Sequence, residues 1–136
     1  MVHDGQTAML DELPVLRLRG LQRLDARELA DGVGAEAVVL SEESPPVGGY
    51  GDLGTRTVAV AVSARSLRAV ARYLAARQHS LAETVRVLVE VEDADGTRHQ
   101  ETLTYRAAPG QGAVQAAETA LRALPGIGEA LERSLW

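Results

Sequence analysis

Two hydrophobic periods alternate along this chain, and the switches between them mark its elements. A period of two appears first at Pro14–Arg19, where Leu16 and Leu18 alternate with Arg17 and Arg19 as in a strand with one buried face. Gly20 interrupts it. Asp25-Ala-Arg-Glu28 has the spacing of an N-cap with glutamate at N3, opening a short helix that Gly32 and Gly34 close. Ala35–Ser41 reads as a second strand. Beyond a polar, glycine-rich stretch from Glu42 to Gly54, Thr57–Ser63 alternates at Val58, Val60 and Val62 but suits a buried helix equally well.

The period then changes to that of a helix. Ser63 is placed to cap it, Leu67, Val70, Ala71 and Leu74 share one face, and Arg65, Arg68 and Arg72 share the other; it ends near Gln78-His79-Ser80. Thr84–Glu92 returns to a period of two, with Val85, Val87, Val89 and Val91 on one side. Asp95-Gly96 is a pair preferred in type I′ turns, so Thr97–Arg106 is expected to return antiparallel and bury Leu103 and Tyr105. Gly112–Leu124 forms a last amphipathic helix through Val114, Ala117, Leu121 and Leu124; Pro125-Gly126 stops it, and Glu129–Leu135 adds a turn or two.

This order predicts an α+β fold: one small sheet with an antiparallel hairpin in its C-terminal half, packed against two or three helices, ferredoxin-like or related. Residues 1–12 read as a disordered tail, 13–124 as the single domain and 125–136 as a C-terminal helical tail. The length of 136 residues supports one core, and 46% hydrophobic residues exclude a disordered acidic chain. With no Phe, one Trp and three Tyr, that core has to be made of Leu, Val and Ala.

A net charge of −5 argues against broad nucleic-acid binding. The lack of cysteine removes disulfides and thiolate chemistry and fits a cytoplasmic protein. Met1–Glu12 has no signal-peptide pattern, and the most apolar stretch, Thr57–Ala76, carries three arginines, so no membrane span is expected.

Chemistry-bearing motifs are sparse. Gly49-Tyr-Gly51-Asp-Leu-Gly54 matches a phosphate-cradling glycine pattern, yet Pro45-Pro46 separates it from the preceding strand and no acid follows about 20 residues on. A tight or flexible loop explains it, and a small ligand- or phosphate-binding domain using Gly48, Gly49, Tyr50, Gly51, Asp52 and Gly54 is the alternative. Pro125-Gly126-Ile127-Gly128 resembles the turn of a helix–hairpin–helix DNA motif, but Glu129 and Glu132 follow where basic residues would serve; a glycine C-cap accounts for it, with DNA association as a second alternative.

Asp93-Ala-Asp95-Gly96 lacks the glycine and glutamate of a calcium loop at the required positions. His3, His79 and His99 are dispersed, no nucleophile is paired with a base, and Glu42-Glu43 and Glu90/Glu92 read as solvated carboxylates. No catalytic, cofactor or metal residues are therefore expected. Arg65, Arg68 and Arg72 form the one patch opposed in sign to the whole chain, either a solvated face or a docking surface for an acidic partner.

The strand–helix–strand opening, the loop residues Pro45-Pro46-Val47-Gly48 and Gly51-Asp52-Leu53-Gly54, the segment Val58–Arg77 and the Val-rich hairpin with Asp95-Gly96 together resemble the effector-associated constant component family. These are small actinobacterial proteins of predicted conflict, or immune-like, systems. The resemblance covers about residues 14–107 and implies a non-enzymatic cytoplasmic adaptor without cofactor. It would act through protein–protein contact beside an effector such as a peptidase, with self-association open, and the family brings no catalytic residues with it.

Overall fold

The computed structural model describes residues 14–41, 55–80, 82–93 and 95–134. The sheet consists of β1 (Val15–Leu21), β2 (Ala37–Ser41), β3 (Arg56–Ala61), β4 (Val85–Glu92) and β5 (Arg98–Tyr105), in the spatial order β2-β3-β1-β4-β5 with every neighbouring pair antiparallel. Helix α1 (Arg23–Val33) links β1 to β2 and α2 (Ala64–Ala76) links β3 to β4, while α3 (Ala113–Arg122) and α4 (Ile127–Ser134) follow β5. In each strand–helix–strand unit the two strands are parallel but separated by a strand of the other unit. This is the interleaved split βαβ arrangement of ferredoxin-like folds, extended here by β5.

Alternation along the strands decides which side is buried. Leu16 and Leu18 of β1, Val58 and Val60 of β3, Val89 and Val91 of β4, and Leu103 and Tyr105 of β5 all face the helices. They meet Ala26, Leu29 and Val33 of α1, Leu67, Val70, Ala71 and Leu74 of α2, and Ala116, Ala117 and Leu121 of α3 in one core. Ile127 and Leu131 of α4 enter the same cluster. Helix α2 lies between α1 and α3, which cover the β2–β3 and β5 sides of the sheet.

Thr57–Ser63 resolves into most of β3, through Ala61, followed by the cap of α2 at Ser63. The Ser63 hydroxyl accepts from the Ser66 amide at 3.0 Å, and the Ser66 hydroxyl accepts from the Ser63 amide at 2.8 Å. This reciprocal box satisfies two amide donors at the junction. Val58 and Val60 are fully buried by being held in the sheet, which settles a segment whose periodicity fitted both structures.

Two local expectations are corrected. Asp25 is not the N-cap of α1: Gln22 holds the extended cap position and Asp25 lies in the first helical turn. An acid is favoured throughout that turn by the unpaired amides, so it signals a helix start without fixing the first residue. The β4–β5 connection is not a type I′ turn, which needs positive φ at two successive residues; Asp95 keeps negative φ and Gly96 alone is at +90°. The Gly96 amide donates to the Asp93 carbonyl at 2.9 Å and the Asp93 amide to the Thr97 carbonyl at 2.8 Å, forming a longer loop closed by one left-handed glycine.

Candidate functional site

The face of α2 opposite the core carries Arg65, Arg68 and Arg72, all exposed, along the middle of the helix layer. The structure treats them unequally. Arg68 Nε lies 3.6 Å from Glu118 Oε1 on α3, and Arg122 Nη2 reaches Glu118 Oε2 at 3.1 Å. Arg65 and Arg72 have no counter-ion among the described residues.

At the C-terminal end of α2 the chemistry turns inward. The Arg77 guanidinium stacks over the Tyr73 ring at 4.3 Å, and its Nη2 pairs with Asp25 and, at 2.7 Å, with Glu28 of α1. One cation thus ties the end of α2 to the start of α1. Burial pushes the Tyr73 phenol above its ordinary value, against the opposing pull of Arg77.

Beneath this clamp lies a groove of about 700 Å³, floored by Leu18, Leu21, Leu74 and Val87 and edged by Tyr73, Arg77, Gln78 and Glu83. The Gln78 amide nitrogen donates to the Ser80 carbonyl at 2.9 Å, which leaves the amide oxygen buried with no partner among the described residues. The Tyr105 hydroxyl is buried and unpartnered in the same sense; burial, then the charge of Glu83, raises its pKa. No motif in the sequence pointed to this groove, because its residues come from β1, α1, α2, β4 and the connection between α2 and β4.

The opposite side of the sheet has no helix over it among the described residues. Its β1–β4–β5 half is an ion ladder. Arg17 Nη1 lies 2.6 Å from Glu92 Oε1 and 3.7 Å from Glu90 Oε1, Arg98 Nε reaches Glu92 Oε1 at 3.0 Å, and Arg19 Nη1 lies 3.7 Å from Glu90 Oε2. Glu90 and Glu92 are therefore not the solvated carboxylates their sequence context suggested. Glu90 is only 8% exposed, because arginines from both flanking strands lie across it. The hydrogen bond from Arg17 holds the Glu92 carboxyl below its ordinary value. Arg17/Arg19 and Glu90/Glu92 sit at matching period-two positions, which becomes a signal only once β1 and β4 are known to pair.

The turn into α4 sits against the end of the hairpin. His99 Nε2 lies 2.8 Å from Asp93 Oδ2, and a cavity of about 430 Å³ is lined by Asp93, Asp95, His99, Pro125, Gly126 and Glu129, with Pro14. A Cβ on Gly126 would lie 2.9 Å from Asp93 Oδ1, and one on Gly128 would lie 2.8 Å from the Arg122 carbonyl. Both glycines serve close packing, and Gly126 does so beside carboxylates, a setting that repels phosphate. The Thr97 amide bond holds the Asp95 carboxyl below its ordinary value.

Among the described residues no group of three or more His, Asp or Glu side chains could hold a metal ion, and no helix is long and apolar enough to cross a membrane. The loop residues Gly48, Gly49, Tyr50, Gly51, Asp52 and Gly54 lie outside the described residues. No family model, curated protein or solved structure matches the chain.

Proposed function

We propose that this protein is a non-enzymatic adaptor, of the kind that the family resemblance implies for bacterial conflict systems, and that it docks an acidic surface of an effector protein through α2. One observation carries the reading: Arg65 and Arg72 are exposed and without counter-ion among the described residues, on the central helix of its layer, in a chain of net charge −5. Guanidinium groups three, four and seven residues apart lie along one line of a helix and offer planar, two-pronged pairing to carboxylates. The acidic lining around Gly126 disfavours phosphate, so the DNA alternative has less support from the geometry.

The test is co-purification from the native host with wild type and with an Arg65→Glu/Arg72→Glu variant. That pair leaves the Arg68–Glu118 contact intact, so α2 and α3 stay packed. Wild-type capture should weaken with added salt, and the folded double variant should lose its partner at least tenfold, about 1.4 kcal/mol. A folded variant that recovers the same partners as wild type removes α2 as the docking element.

A further inference from the structure

The two edges of the sheet are built differently. β5, at one edge, presents Arg98, His99, Gln100, Glu101, Thr102 and Thr104, the charged and polar residues that keep an edge from pairing. β2, at the other, is Ala-Val-Val-Leu-Ser, without a charge or a proline. Val38, Val39 and Leu40 are 57%, 43% and 42% exposed. Three consecutive apolar residues exposed on both faces of an edge strand are what protected edges avoid.

The phase of the hydrogen bonds defines what this edge can accept. The Ala61 amide donates to the Glu36 carbonyl at 2.9 Å, and Glu36 is opposite Ala61 in the β2–β3 register. Alternation along an antiparallel pair then turns the backbone groups of Val38 and Leu40 toward β3 and those of Val39 and Ser41 outward. The Ala37 carbonyl also faces outward, while its amide donates to the Gly34 carbonyl at 3.1 Å. No described residue pairs with this outer edge.

We propose that β2 pairs with β2 of a second copy of this chain, antiparallel about a two-fold axis at Val39, joining two sheets into one. The strand is self-complementary in that register. Val39 faces its own counterpart in a hydrogen-bonded pair exchanging two bonds, and the Ser41 amide meets the Ala37 carbonyl of the other copy on each side. Val38 faces Leu40 of the other copy, apolar against apolar, in the closer non-hydrogen-bonded pairs. Exposed Val39 shows that α1 leaves the helix side of the seam open. Within Ala37–Ser41 no like charges are brought together, since those five residues have none. The contact is small, so the dimer is weak and concentration-dependent.

Sedimentation equilibrium of the full chain tests the dimer, and cysteine cross-linking tests its register. Hydrogen-bonded antiparallel partners have Cα atoms about 5.5 Å apart, within disulfide range. In a chain with no native cysteine, Val39→Cys should oxidise to a covalent dimer, and Thr102→Cys on the polar edge should not. Val39→Pro removes an amide that points away from β3, so the monomer should stay folded while the dissociation constant rises at least tenfold. Val38→Lys/Leu40→Lys should do the same without a backbone change. A wild type that remains monomeric up to about 1 mM, cross-linking as efficient at Thr102 as at Val39, or a dimer unmoved by either folded variant would each overturn the proposal.

Discussion

Arg17 and Glu92 meet across the β1–β4 pair at 2.6 Å, one step off direct register, since Arg17 lies opposite Glu90 and Glu92 opposite Val15. One guanidinium thus serves two carboxylates that the pleat places on the same side. The arrangement has a pH signature. Because the Arg17 bond lowers the Glu92 pKa in the fold, its stabilisation is complete above the ordinary glutamate value of about 4.3 and is lost as pH falls through the lower folded value. Melting temperatures of wild type and Glu92→Gln should converge as the pH is taken below about 4 and separate, with wild type higher, by pH 6. Parallel curves across that range would refute the linkage.

Side chains added at Gly96 and at Gly128 should cost stability for different reasons. Gly96 has open space around a Cβ but φ of +90°, so its cost is backbone strain: Gly96→Val should destabilise by about 1–3 kcal/mol and Gly96→Asn by less, since Asn tolerates left-handed backbone. Gly128→Ala meets a backbone carbonyl at 2.8 Å and should cost about 1–3 kcal/mol by overpacking the α3–α4 junction. Urea denaturation of the three variants checks both numbers.

Ser63→Ala should destabilise by about 1 kcal/mol, the usual value of a cap. It removes the acceptor of the Ser66 amide and the hydroxyl donor to Glu36 Oε2 at 2.6 Å. Ser63→Asp keeps an acceptor but brings a second carboxylate to Glu36, so it should restore the cap only in acid. Thermal melts at pH 4 and pH 7 separate the two effects.

Tyr105→Phe should leave stability unchanged or raise it by up to about 1 kcal/mol, because a buried hydroxyl without a partner contributes only its desolvation cost. A loss of more than 1 kcal/mol in chemical denaturation would mean that the hydroxyl is hydrogen-bonded in solution.

Much of the fold was legible in the chain. Alternating Leu16/Leu18 and Val85–Val91 located strands, and Leu67, Val70, Ala71 and Leu74 located α2, because burial of one face imposes a period on each element. Strand order was beyond that logic. Nothing within Val15–Leu21 says that β3 and β4 flank it, so the Arg17–Glu90–Glu92 ladder could not be assembled from its parts. The hairpin was found through Asp95-Gly96 but with the wrong loop, since that pair also suits a turn in which glycine alone is left-handed. The exposure of Arg65, Arg68 and Arg72 followed from spacing; the engagement of Arg68 by Glu118 required knowing that α3 packs beside α2.

The interleaving of the strands also governs how the chain comes off the ribosome. Among the described residues β1 pairs only with β3 and β4, and β2 only with β3. Residues up to Ser41 therefore contain two strands that never touch each other, and neither can form a native backbone ladder until Arg56–Ala61 has emerged and slotted between them. Such non-local closure makes assembly late and cooperative. During that interval the uncharged Ala37–Ser41 segment lacks its β3 partner, which leaves an apolar strand open to aggregation.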